Sequence, residues 1–193
     1  MDAKRRFKKR YIITIALIII IQYVSSYIGG YTLSESLVIR NSIPNINGKV
    51  VFEKEFNGNK VIVWETDTVN YIKLIERNWG IFYRVTNTSG MHALTSDEKM
   101  KITWSATNDK NDFYKTLFGT EVLDKDIVKV IVSNHDRHKN ITSLSEAKEK
   151  STVYIEMDVE NGYAAHYSYL KNAYVGGYTF RGLNSQGEII SIY

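Results

Sequence analysis

The stretch KRRFKKRYIITIALIIIIQYVSSYIGG, residues 4–30, constrains this chain more than any other. Lys4, Arg5, Arg6, Lys8, Lys9 and Arg10 precede an apolar run from Tyr11 to Ile21 that only Thr14 interrupts. Allowing Gln22, Ser25 and Ser26, the run reaches Ile28, which gives residues 11–28. A bilayer-crossing helix needs roughly 17–25 residues at about 1.5 Å each, so this run is at the short end of that range. Its inner core, 11–21, also fits the apolar region of an export signal. Both readings keep the cations in the cytoplasm and send the rest of the chain outside. Val24-Ser25-Ser26 offers a passable cleavage site before Tyr27, although Ala is absent from both small-residue positions. Tyr23 and Tyr27 suit the interfacial belt of a retained helix. The expectation is therefore a single-pass anchor in contact with the lipid bilayer, with the N-terminus cytoplasmic and the C-terminal domain outside. The alternative is secretion after cleavage near Ser26. A buried helix of a soluble core is disfavoured, because no globular interior accommodates six flanking cations.

Charge sharpens this reading. The chain has 25 basic and 21 acidic residues, a net +4. Residues 1–10 hold six of those cations and one acid, so residues 11–193 carry 19 against 20, about −1. The basic character belongs to the tail, which argues against a nucleic-acid partner for the folded part. Cysteine is absent, which removes disulfides, thiolate metal sites and the lipid-modified cysteine of bacterial lipoproteins. Asp2 stands where N-myristoylation needs Gly. Frequent Ile, Lys, Asn and Tyr with a single Pro is the usage of an AT-rich genome and hints at a low-GC, Gram-positive source.

The chain divides into a basic tail (1–10), the apolar segment (11–28), a stalk with a short helix (29–47) and an extracytoplasmic domain (48–193). In the stalk, Thr32 and Glu35 read as a capping box, with Pro44 as the stop. From Lys49 the period becomes two. VVFEKEF and KVIVWE flank Asn57-Gly58-Asn59, a hairpin signal. YIKLIER and GIFYRVT follow through Asn78-Trp79-Gly80, with Trp79 expected as a core anchor and turn. KVIVWE and YIKLIER are partly apolar on both faces and should be central strands. Residues 112–118 ending at Gly119 read as a short helix. IVKVIVSN reads as a strand, and Ser143 with Glu146 as a capping box opening the helix LSEAKEK. TVYIEMDV then alternates with Val153, Ile155, Met157 and Val159 inward. YAAHYSYL, YVGGYTFRGL and EIISIY complete the set, with a bulge at Gly176-Gly177. The fold expected is mainly β, with α+β as a variant. It has antiparallel meander sheets of eight or nine strands, with a two-sheet sandwich as one arrangement of them, and two or three short helices.

KLIERNWGIFYRVTN and YVGGYTFRGLNSQGEIIS resemble stretches of an uncharacterised family of small exported or membrane-anchored proteins of Bacillus-type bacteria. The resemblance implies export and brings no activity, cofactor or site residue with it.

Candidate chemistry is thin. His135-Asp136-Arg137-His138 has ligand-type residues but an Arg in their midst, and reads as a polar loop rather than a metal site. Glu53 with Glu55, and Glu156 with Asp158 and Glu160, have the spacing of glycosidase carboxylates, but any strand with one wet face generates that spacing. No phosphate loop, dinucleotide fingerprint or nucleophile elbow occurs. Neither a catalytic residue nor a cofactor is assigned. Tyr163, Tyr167 and Tyr169 fall on one strand face and are the candidate binding residues, since tyrosine presents an apolar ring with a polar tip. Strand packing is the plainer use of the same residues. Two functions follow: a non-catalytic binding domain for a membrane-protein or cell-wall partner, or a wall-acting hydrolase using strand carboxylates.

Overall fold

The computed structural model describes residues 3–43, 46–93, 98–134, 141 and 143–193. The side chains at 3–7, 9, 25, 26 and 28 are outside that description. The elements run α1 (Ala3–Gly29), α2 (Glu35–Asn41), β1 (Lys49–Phe56), β2 (Asn59–Glu65), β3 (Tyr71–Asn78) and β4 (Phe82–Gly90). They continue with β5 (Met100–Asn108), β6 (Phe113–Val122), β7 (Lys129–Asn134), α3 (Leu144–Lys150), β8 (Tyr154–Asp158), β9 (Tyr163–Lys171), β10 (Tyr178–Leu183) and β11 (Ile189–Ile192).

The fold is mainly β, with eleven strands among the described residues in three antiparallel sheets. Their orders are β1-β2-β3-β4, β5-β6-β9 and β11-β10-β7-β8. The first sheet is the expected meander. Asn57 (φ 49°) and Gly58 (φ 82°) turn its first hairpin in the left-handed conformation that such two-residue loops require. The β5-β6-β9 sheet lies between the other two. Alternate residues of β6 enter different cores: Leu117 joins Phe52, Val61, Val63, Ile72 and Leu74 of the first sheet. Phe118 joins Val130, Val132, Ile155, Met157 and Phe180 of the third.

Three sheets replace the two-sheet sandwich, and the reason is local. Residues 112–118 are not a helix; Asp112 closes a turn and 113–118 begin β6, which pairs with β5 on one side and β9 on the other. A helix would leave both of those neighbours unpaired, and two ladders outweigh the weak helical propensity of Phe, Tyr and Thr. Gly119 is a strand residue instead of a helix stop. A Cβ there would approach Ile72 Cδ1 to 2.7 Å, so its lack of a side chain lets the first two sheets close.

β2 and β3 are covered on both faces, as their composition implied. The second cover is α2, whose Val38 and Ile39 pack with Ile62, Trp64 and Ile75. The segment expected as a stalk is thus partly folded onto the sheet. Its cap is Ser34, whose Oγ accepts from Leu37 N–H at 3.4 Å. Thr32, the expected cap, instead pairs its backbone with Tyr83 at the edge of β4 (2.9 and 2.8 Å). Pro44 is outside the described residues. α3 begins after Ser143, whose hydroxyl meets Ser145 Oγ rather than the helix backbone.

Two aromatic and glycine expectations change. Trp79 forms the β3–β4 turn (φ 51°) but is 90 % exposed, so it is no core anchor. Gly176 and Gly177 lie in the loop before β10 and not in a strand bulge. Asn87 of β4 is buried, its Oδ1 accepting from Ser105 Oγ at 2.7 Å.

The apolar N-terminal run is helical within the 27-residue α1. Ile12, Ile13, Ile15, Leu17, Ile18, Ile19, Ile20 and Ile21 are all exposed, and at 100° per residue they occupy every side of the helix. Counting the described residues alone, no helix is long and apolar enough to cross a membrane. The span expected over 11–28 includes three positions whose side chains are not described.

Candidate functional site

The three tyrosines singled out in the sequence share one face of β9, and the fold gives each a different environment. Tyr163 is buried in the core between the first two sheets. Burial, followed by the nearby charges of Glu121 and Glu65, pushes its phenol up to about 12. Asn70 Nδ2 reaches its hydroxyl (3.3 Å) and Glu121 Oε2 (3.0 Å), while Lys101 Nζ donates to the same carboxylate oxygen (3.1 Å). That network fixes Tyr163 as structure. Tyr167 is half-buried against the same core, and burial raises its phenol as well.

Tyr169 is the one of the three left open, 46 % exposed. Its ring stacks on Phe113 of the neighbouring strand, with centroids 4.9 Å apart and planes 3° from parallel. Its hydroxyl donates to Asp109 Oδ2 at 2.8 Å. This hydrogen bond holds Asp109 below the usual carboxylate range and raises the phenol. Lys115 stands beside them, paired with Glu76 and 3.8 Å from Asp109. Burial opposes the Lys115 charge, but the two carboxylates outweigh it and the ammonium is raised.

β6 and β9 therefore present an aromatic pair, Phe113 and Tyr169, bordered by Asp109, Lys115 and Glu76. An apolar ring surface edged by fixed donors and acceptors is the chemistry of a sugar or peptide platform. Phe113, Asp109 and Lys115 were not found from sequence. Once 113–122 is a strand, the period-two spacing of Phe113, Lys115 and Leu117 reveals Phe113 and Lys115, whereas Asp109 lies in the β5–β6 connection and carries no such signal.

The candidate hydrolase carboxylates do not converge on a cleft. Glu156 and Asp158 share Lys129 (3.1 and 3.7 Å), Glu160 pairs with Lys54 (2.9 Å) and Glu53 approaches Lys60 (3.6 Å). Glu55 is exposed along an open groove with Arg77 and Tyr83. Among the described residues no group of three His, Cys, Asp or Glu side chains could hold a metal ion. His135 and His138 are outside those residues. His166 faces Ser168 Oγ at 2.8 Å and Phe56 edge-on, and burial lowers its imidazole.

A buried lysine is the other unusual group. Lys73 of β3 has no exposed surface. Its Nζ donates to Ile39 O (2.9 Å) and Ser42 Oγ (2.8 Å) at the end of α2, and sits 4.7 Å from the Trp64 ring. Burial pushes this ammonium down to about 8. It clamps the C-terminal end of α2, where free carbonyls favour a cation.

No protein-family model, curated protein or solved structure matches this chain.

Proposed function

We propose that this protein is a single-pass membrane-anchored extracytoplasmic binding protein. Residues 11–28 of α1 cross the bilayer with the basic tail in the cytoplasm, and the three-sheet domain works outside. The observation that carries the reading is the surface of α1, with isoleucine or leucine exposed on every side from Ile12 to Ile21. A helix apolar all round needs a non-aqueous surround. The six cations before it and Tyr23 and Tyr27 near its far end are the flanks of an oriented span. The resemblance to exported and membrane-anchored Bacillus-type proteins points the same way.

The domain's task is recognition without catalysis. Its contact surface is the Phe113–Tyr169 platform with Tyr167 behind it, and its partner is a wall polymer or a membrane protein within reach of the anchor. The lysine-paired, dispersed carboxylates favour binding over hydrolysis. Carbonate extraction of membranes from expressing cells tests the anchor: the full-length chain stays in the pellet, whereas release into the supernatant contradicts it. Retention of the detergent-solubilised chain on isolated wall material or crosslinked membrane protein, lost with Tyr169→Ala, tests the platform.

A further inference from the structure

We infer that the β3–β4 hairpin tip is a second membrane contact, dipping past the outer headgroups into the upper acyl layer beside α1. This rests on the anchor proposed above.

The tip exposes Trp79 (90 %) and Ile81 (55 %), a large aromatic and an aliphatic side chain at the end of a hairpin. Trp79 is held with φ 51°, a conformation uncommon for a bulky residue. Among the described residues of the β domain, its ring makes an edge contact with Phe82 (6.1 Å).

Its position relative to α1 supplies the depth. Trp79 and Phe82 line an apolar groove of about 590 Å³ together with Ile20, Ile21 and Val24. Those residues precede Ile28, the end of the apolar run, by four to eight positions, or about 6–12 Å along the helix. A bilayer's polar layers together add roughly 10–15 Å to a hydrocarbon core of about 30 Å. With Ile28 at the outer edge of the hydrocarbon, as a span over 11–28 requires, the tip lies about 6–12 Å below that edge, in the outer leaflet's acyl layer. Interfacial segments bury apolar side chains such as Trp about 5–10 Å into the headgroup/acyl boundary.

The placement is fixed by bonds. Thr32 and Tyr83 exchange two backbone hydrogen bonds, Asn78 Nδ2 donates to Tyr31 Oη (3.0 Å) and Gln22 Oε1 accepts from Leu33 N–H (3.1 Å). Charge matches as well. Arg77 and Arg84 are exposed on the strands flanking the tip; Arg77 donates to Gly80 O at 2.8 Å and Arg84 stands over the Tyr31 ring. Apolar tip and flanking guanidiniums suit a surface of acyl chains topped by anionic phosphates.

The chain contains no cysteine, so single introduced cysteines report cleanly. The full chain is reconstituted in phosphatidylcholine–phosphatidylglycerol vesicles with an environment-sensitive fluorophore on Ile81→Cys, on Ile18→Cys in α1, or on Thr68→Cys. Thr68 is exposed in the β2–β3 turn, at the opposite end of the same sheet. Lipids carrying a quencher high on the acyl chain should quench the Ile81 probe several-fold more than the Thr68 probe, with blue-shifted emission. Quenchers near the chain ends should reach Ile18. A quenched Ile18 probe beside a water-like Ile81 probe overturns the hairpin contact and leaves the anchor standing. If neither probe is quenched by lipid, both fall. Self-quenching at Ile81 that disappears on dilution with unlabelled protein, without lipid quenching, assigns the tip to a second copy and also overturns the inference.

Discussion

Lys73 is where a single side chain makes a measurable claim. Its ammonium sits at about 8 against 10.5 in the unfolded chain, because burial disfavours the charge. Between those values the unfolded state binds more protons, so stability rises with pH there. The contribution is fully present above about pH 10.5 and is lost as pH falls through about 8. Lys73→Met lacks this dependence. The stability of wild type relative to that variant should therefore increase by about 2–3 kcal/mol from pH 7 to pH 10, as measured by denaturant unfolding. A flat or falling difference contradicts the burial argument. Tyr169 makes the opposite kind of claim. Being open to solvent and bonded to Asp109, it should lose partner retention several-fold as Tyr169→Ala with little change in thermal stability. Neither environment could be read from sequence. The alternation of YIKLIER marks Lys73 as one face of a strand, and only α2, more than thirty residues upstream, buries it. Tyr163, Tyr167 and Tyr169 were correctly put on one face, but whether that face is core or surface depends on how far the first sheet extends over β9.

Elements show which local signals survive tertiary packing. The Asn57-Gly58 hairpin and the inward set Val153, Ile155 and Met157 were legible because turn chemistry and alternation agreed with the final pairing. Residues 112–118 misled because an aromatic run before a glycine has no decisive period, and its strand state comes from pairing with the preceding strand β5 on one side and with β9, about fifty residues on, on the other. Gly119→Ala tests that account. In a strand pressed against Ile72 it should cost about 1–3 kcal/mol, since the added methyl has no room. A glycine helix stop would also lose about 1 kcal/mol through its left-handed backbone, so coupling in a double-mutant cycle with Ile72→Val is the mark of the strand contact. The α2 boundary offers a finer test. Ser34→Ala removes the acceptor at Leu37 N–H (3.4 Å) and Thr32→Ala removes the acceptor at Ser34 N–H (3.0 Å), so each should cost about 1 kcal/mol, the backbone pair of Thr32 with Tyr83 staying intact.

At the scale of the whole molecule, the layers run from α2 through three sheets, with β6 and β9 central. Small residues at Gly119, Ala164 and Ala165 let the sheets approach where the central one must be buried on both faces. That architecture leaves two kinds of surface without an internal use: the rings at Phe113 and Tyr169, and the apolar surround of α1 with the Trp79 tip beside it. Both fit a domain held close to a bilayer and turned toward something outside the cell. The topology claim governs the rest, because a chain cut before Tyr27 would lose most of α1 and with it the groove against Trp79. The decisive measurement is the intact mass and N-terminus of the chain recovered from carbonate-washed membranes, combined with protease treatment of whole cells. The account predicts a membrane-held chain that begins within the basic tail, whose β domain is digested from outside while residues 1–28 are protected. A released chain beginning at Tyr27, or a domain protected in intact cells, would contradict it.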